Sequence, residues 1–305
     1  MNSPEWPALG YDVWRATCDT LHAHTQLLGK LAVALAPPEP QLQHAALRLT
    51  PRGWETHPLP APDGSGFLVV AIDLREHAAL VEHSDGTQHV IPLIPDRPVG
   101  DVTVDVVDAV TQVAGPVVIN PRPQEVPWDV PLDEDQEHHT YDVPSVADYF
   151  KAATRVAMVL GELRAPYRGR VTPVNAWWGS FDLTISLFSG RSAVPPSDGF
   201  ITRNSGNAQQ IEVGWWPGDA RYPRPAFFAF LVPSPDPFNP ALDAPARWDN
   251  ELGEYILDYD EVIAAADPHR TALEFGRAAI THLCLTGSWD TTLAKSATGL
   301  LPPID

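Results

Sequence analysis

The sequence predicts an α+β fold, a mainly antiparallel sheet with flanking helices arranged as two similar halves. Apolar residues recur at helical spacing in several segments, short strand-like runs lie between them, and the order helix, strands, helix occurs twice. With 305 residues, 44% hydrophobic and 19% charged, the chain is long enough for one large domain or two modest ones. We expect a single compact domain over residues 1–305, with possible sub-halves 1–142 and 143–305 joined near the Pro- and acid-rich stretch from Pro121 to Asp142.

The first element, Tyr11 to Leu28, carries Trp14, Cys18, Leu21, Thr25 and Leu28 on one stripe, and Gly29 is expected to stop it. Strands are expected over Lys30 to Ala36, His44 to Thr50, Gly53 to Pro58 and Phe67 to Asp73. Ala79 to Glu82 and Gln88 to Leu93 flank Asp85-Gly86, a pair that tolerates positive φ and so suits a hairpin turn. Val102, Val106, Val110 and Val113 suit a helix, although Val102 to Val106 also alternates as a strand; length favours helix. A further helix opens at Pro144-Ser145, with Ser145 as its cap and Phe150, Ala153, Ala157 and Leu160 on one face. Strands follow near Arg170 to Trp177, Phe181 to Phe188, Gln210 to Trp215 and Ala226 to Val232. The last helix starts at Asp267-Pro268, with proline at its first position.

A net charge of −19 opposes binding to a phosphate backbone, because such affinity comes from Lys and Arg displacing counterions. Nucleic acid and anionic membrane are therefore not expected as partners. Two cysteines imply no disulfide framework, and neither a basic, apolar leader nor a run of 18 apolar residues occurs. A cytoplasmic location follows as the expectation. The 33 prolines fall between periodic segments, as in Ala36 to Pro40 and Ser234 to Pro237, and read as rigid loops.

Chemistry-bearing residues gather in a few places. His22 and His24 project about 200° apart on one helix and cannot share a metal from it. His22 either lines a cleft or pairs with a nearby carboxylate or carbonyl. Pro131 to Asp142 is the densest set of titratable groups: carboxylates raise and orient a histidine, although the same stretch also reads as a solvated acidic loop. In WWGSFDLTISLFSGR, residues 177–191, alternation places Phe181, Leu183, Ile185 and Leu187 on one face. Trp178, Ser180, Asp182, Thr184 and Ser186 share the other, either as a cavity wall or as an ordinary half-exposed strand face. Trp215-Trp216 adds a second aromatic pair, suited to a flat ligand or to core packing. No dinucleotide-binding, P-loop, zincin, Cys-x-x-Cys or Gly-x-Ser-x-Gly motif occurs.

These pieces together resemble an uncharacterised bacterial family known only as a domain of unknown function, DUF 5996. The resemblance rests on Trp6 to Leu9, Leu21-His22, Thr25-Gln26, Gly29-Lys30, His44, Arg52-Gly53, Asp133 to Asp135, His138 and Tyr141-Asp142. It continues through Trp178 to Leu183, Phe188 to Arg191, Trp216 to Gly218 and Glu251 to Glu254, nearly the whole chain. It implies membership and no particular activity. Asn175 stands where the family often has histidine, and Ala208-Gln209 where a His-Glu pair is usual.

The resulting expectation is a small-molecule enzyme with a Trp-lined cleft. His138, oriented by a carboxylate, is the acid/base; Tyr141 donates a proton or hydrogen bond; Asp182 faces the same cavity. His22, His44, Trp178, Ser180, Arg191 and Trp216 contact the ligand, with Arg191 on an anionic group. Neither metal nor cofactor is expected, and the oligomeric state is left open. The alternatives are a binding protein that uses the same cleft without chemistry, or a scaffold subunit.

Overall fold

The computed structural model describes residues 6–234, 242–243, 245–297 and 299; Pro235 to Pro237 of the second proline loop lie outside them. The architecture is α+β, with helices and antiparallel strand pairing. The chain forms two compact units. The first comprises Asp12–Phe150 and Ala176–Phe181, and the second Met1–Tyr11, Lys151–Asn175 and Asp182–Asp305.

The first unit is organised around α1 (Tyr11–Leu35). The helix runs through Gly29 and takes in Lys30 to Leu35, which had been expected to form a strand. Leu27, Leu28, Leu31 and Ala32 are fully buried, so packing carries the helix past the glycine. Gly29 serves a close approach instead: a Cβ there would stand 2.1 Å from Cγ of Trp178. After a 3₁₀ turn over Pro40–Ala45 come β1 (Leu47–Leu49), β2 (Gly53–Glu55), β3 (Leu59–Pro60), β4 (Phe67–Asp73), β5 (Ala78–His83) and β6 (Gln88–Pro92). The strand expected over His44 to Thr50 thus shortens to β1, because His44 is tied into the preceding turn. The sheet order is β1-β2-β4-β5-β6 with β3 on β4, and Gly86 at φ 94 closes the expected β5–β6 hairpin. Helix α2 (Val99–Ala114) buries Val102, Val106 and Val110, which settles the helix-or-strand ambiguity of that segment.

Helix α3 (Val143–Arg164) is capped by Asp142, whose carboxylate accepts the Ser145 N–H at 2.9 Å. Ser145 lies inside the first turn and is not the cap. The buried stripe is Val146, Tyr149, Ala153, Val156, Leu160 and Leu163, so Phe150 and Ala157 sit at its margin. Next are β7 (Asn175–Trp177), β8 (Asp182–Ser192), a short α4 (Phe200–Ser205), β9 (Ala208–Trp216), β10 (Ala226–Val232), β11 (Arg247–Asp249) and β12 (Glu254–Asp258). In the second unit the sheet order is β11-β12-β10-β9-β8. Helices α5 (Tyr259–Ala264), α6 (Pro268–Thr286) and α7 (Thr291–Ala297) complete it, and the Asp267 side chain caps α6 as its Asp-Pro start predicts.

One expected feature of residues 177–191 changes. Residues 178–181 form a turn, closed by the Phe181 N–H on the Trp177 carbonyl at 2.8 Å, with Phe181 at φ 58. The alternation therefore begins at Asp182, and Trp178 does not lie on the polar face of β8. That face is enclosed: Asp182, Thr184 and Ser186 are buried, and the Thr184 hydroxyl donates to the Asp182 carboxylate.

The seat of Trp178 on Gly29 can be tested directly. Gly29→Ala should gain up to about 1 kcal/mol of helix propensity yet lose more to the clash, for a net destabilisation of about 2 kcal/mol in urea melts. In a Trp178→Ala background the same change should be neutral or stabilising. Equal cost in both backgrounds would remove the packing explanation.

Candidate functional site

The dyad of the first unit is built by a loop folded against the start of α2. Asp135 is fully buried. Its Oδ1 accepts the backbone N–H of Glu137 at 2.9 Å and of His138 at 3.0 Å, and its Oδ2 lies 2.7 Å from His138 Nδ1. Helix α2 holds this turn in place. The Val99 N–H donates to the His138 carbonyl at 2.9 Å and the Gly100 N–H to the Asp135 carbonyl at 2.8 Å. Gly100 permits this close approach, since a Cβ would stand 3.0 Å from that carbonyl oxygen.

A carboxylate on Nδ1 fixes the neutral tautomer, with Nδ1 protonated and Nε2 available to exchange a proton. No hydrogen bond among the described residues involves that Nε2. Burial lowers the His138 pKa, but the hydrogen bond and charge of Asp135, with the charges of Asp19 and Glu137, outweigh it and hold the group above its ordinary value. Burial likewise raises Asp135, and its bonds to His138 and to the Glu137 N–H bring it below the usual carboxylate range.

The ring of Trp128 packs 4.5 Å from that of His138 and also meets His22 edge-on at 5.6 Å. His22 Nε2 lies 2.9 Å from the Trp178 carbonyl and 3.1 Å from that of Gly179, which assigns the N–H to Nε2 and ties the 178–181 turn to α1. Phe181 then stacks on His22 at 5.1 Å and on Tyr149 at 5.2 Å, and Trp14 stacks on Tyr149 at 5.2 Å. A column of aromatic rings thus leads from the dyad along α1 into the core. Gln26, one turn after His22, secures the loop that carries Trp128: its amide donates to the Gln124 carbonyl at 2.8 Å and accepts the Gln124 N–H at 3.2 Å.

The other expected site residues are placed as follows. Tyr141 is buried and its hydroxyl lies 3.0 Å from His77 Nδ1; burial, then the charge of Asp73, raises its pKa. His44 Nδ1 accepts the Glu39 N–H at 3.0 Å, and burial, partly offset by Glu39, lowers its pKa, so it works as a neutral acceptor in the 3₁₀ turn. Trp178 is buried and Ser180 is exposed. Asp182, Arg191 and Trp216 belong to the second unit. Arg191 donates to the carbonyls of Gly287 and Ser288, at 3.3 and 2.7 Å, just past the end of α6. Trp216 packs on Tyr222 and Phe228. Beside Asp182, Glu254 is pushed up to about 8 by burial and then by the Asp182 charge, so it holds its proton at neutral pH.

Sequence reasoning did not single out Trp128; it weighed His24 only as a metal ligand beside His22 and used the side chains of Gln26 and Lys30 only in the family resemblance. The Asp-x-x-His spacing of Asp135 and His138 was a usable signal, since an Asp side chain that binds the N–H groups two and three residues on brings its other oxygen to that histidine.

A model of a family of unknown function, DUF5996, matches residues 6–296. The chain belongs to that family. No curated protein and no solved structure matches it. Across the described part of this family member, no group of three or more His, Cys, Asp or Glu is placed to hold a metal ion, and no helix is long and apolar enough to cross a membrane.

His24 supplies a test of the electrostatics behind the dyad. It is 2% exposed, its Nδ1 has no partner among the described residues, and burial lowers its pKa to about 4. Between that value and an unfolded value of about 6.5 the unfolded chain binds the extra proton. The stability tied to a neutral His24 is therefore present above about pH 6.5 and lost as pH falls towards 4, by roughly 3 kcal/mol in all. His24→Leu should flatten the loss of urea midpoint between about pH 6.5 and 4 relative to the wild type. An unchanged slope would place the acid sensitivity elsewhere.

Proposed function

We propose that the protein is a cytoplasmic small-molecule enzyme whose acid/base group is His138, oriented by Asp135, with Trp128 and His22 forming the aromatic wall beside it. The observation that carries this reading is the 2.7 Å contact of His138 Nδ1 with a fully buried carboxylate that two backbone N–H groups also hold. A carboxylate fixed in this way sets the tautomer and orientation of the ring and stabilises the imidazolium, which is what proton transfer through Nε2 requires. The aromatic rings supply flat apolar area for a ligand with few polar groups. The charge of −19 supports a small molecule, not a nucleic acid, as the partner.

Relative to the expectation from sequence, the roles contract to one unit. Tyr141 faces His77, His44 serves the backbone and Arg191 serves the end of α6, so His138 and Asp135 carry the acid/base proposal with His22 and Trp128 beside them.

The test joins a titration to a turnover screen. In histidine-labelled NMR spectra, His138 should titrate above about 6.5, and Asp135→Asn should move its midpoint below that value, because burial remains after the charge is gone. Any small-molecule turnover found should fall about 100-fold or more in His138→Gln, with a pH limb that follows the NMR midpoint and shifts with Asp135→Asn. Ligand binding without turnover, unaffected by His138→Gln, would assign the site to binding alone.

A further inference from the structure

Lys30 is the basic side chain for which the acid–base reading has no use. Of 20 basic side chains only three are lysines, and Lys151 and Lys295 are exposed whereas Lys30 is 5% exposed. No carboxylate and no hydrogen-bond partner among the described residues reaches its Nζ, which stands 5.1 Å from the centre of the Trp178 ring. That ring is fixed in turn. It lies on Gly29, where no Cβ fits, and the Trp178 carbonyl accepts from His22, two turns earlier on the same side of α1.

A buried ammonium with no counter-ion is costly, and an arginine at this position would have to bear that cost because its charge cannot be shed. Lysine escapes by losing its proton, and burial lowers its pKa to about 8. The result is an amine with a substantial neutral fraction near physiological pH, set against an aromatic face that favours a cation. Both properties suit one chemistry. A neutral amine attacks a carbonyl carbon, and the iminium that follows is a cation an indole face stabilises.

We infer that Lys30 is the carbonyl-binding group of this site, which takes an aldehyde or ketone and holds it as an imine on Nζ. The Nζ lone pair forms the new C–N bond as the C=O π pair moves to oxygen. Proton transfer from nitrogen to that oxygen and loss of one water complete the C=N bond, with no net oxidation or reduction. The assignment goes beyond the acid–base reading and does not depend on it. An iminium acidifies the C–H beside it, and that proton passes to solvent as the C–H electrons form an enamine. Trp178 joins Lys30 to the aromatic column: its ring faces Lys30, its carbonyl holds His22, and the His22 ring meets Trp128.

The experiment uses the full chain, propanal and cyanoborohydride near neutral pH, with peptide mass spectrometry of all three lysines. Lys30 should gain the propyl group ahead of Lys151 and Lys295 by on the order of tenfold or more, since an ordinary lysine titrates near 10.4. In deuterated water the wild type should also exchange the hydrogens beside the propanal carbonyl. Lys30→Met should lose both trapping and exchange, whereas His138→Gln should keep both. Labelling of Lys151 and Lys295 with Lys30 unmodified in the folded protein would overturn the assignment. So would propanoate shifting the Lys30 side-chain resonances while propanal is not trapped, which would make the amine an anion site.

Discussion

The first unit depends on the seating of the 178–181 turn against α1. Three features of α1 make the seat: the absent side chain at Gly29, which lets the Trp178 indole reach the helix backbone; the His22 N–H, which binds the two carbonyls of the turn; and the His22 ring, on which Phe181 stacks. Phe181 adopts a left-handed backbone conformation to do this, at a cost of order 1 kcal/mol that its stacking on His22 and Tyr149 offsets. A segment distant in sequence thereby sets the tautomer of His22, the surroundings of Lys30 and the order of the aromatic column.

The electrostatics of the unit follow from which polar groups are given partners. His24 and His138 are both withdrawn from water and shift in opposite directions. For His24 burial dominates, while His138 gains a carboxylate on Nδ1. Their charges also oppose each other, so the proton settles on the histidine with the direct partner. Asp135 tolerates complete burial because two backbone N–H groups and an imidazole occupy its oxygens, and an unpaired carboxylate in that position would be costly. Lys30 completes the set as a cation that meets the same constraint by a lowered proton affinity, having a ring where Asp135 has donors.

In the second unit the same rule produces architecture. The polar residues along β8 are enclosed: Thr184 donates to Asp182, and Ser186 exchanges hydrogen bonds with Thr172 on either side of its peptide, the Ser186 N–H donating to the Thr172 hydroxyl and the Thr172 N–H to the Ser186 carbonyl. Glu254 meets the charge of Asp182 by keeping its proton. Arg191 satisfies the carbonyls left over beyond the last turn of α6, a common fate for a cation near a helix C-terminus.

By itself the sequence determined what depends on local periodicity and local chemistry. The α+β class, β10 over Ala226–Val232, the Asp85-Gly86 hairpin, the Asp267 cap of α6, and the density of titratable groups around His138 all follow from residues a few positions apart. The tertiary structure decided whatever depends on a partner distant in sequence. Gly29 reads locally as a helix stop, and only the arrival of Trp178 shows that it is a contact surface inside a longer helix. The alternation through Trp178 and Ser180 reads as one strand, yet the His22 N–H gathers the Trp178 and Gly179 carbonyls into a turn. Lys30 reads locally as the start of a strand, and only the folded chain places it in α1, 5% exposed and facing the Trp178 ring. Periodicity reports which face of a segment turns inward, whereas the energy of a buried polar group is set by what meets it there, and that is fixed only when the chain has folded.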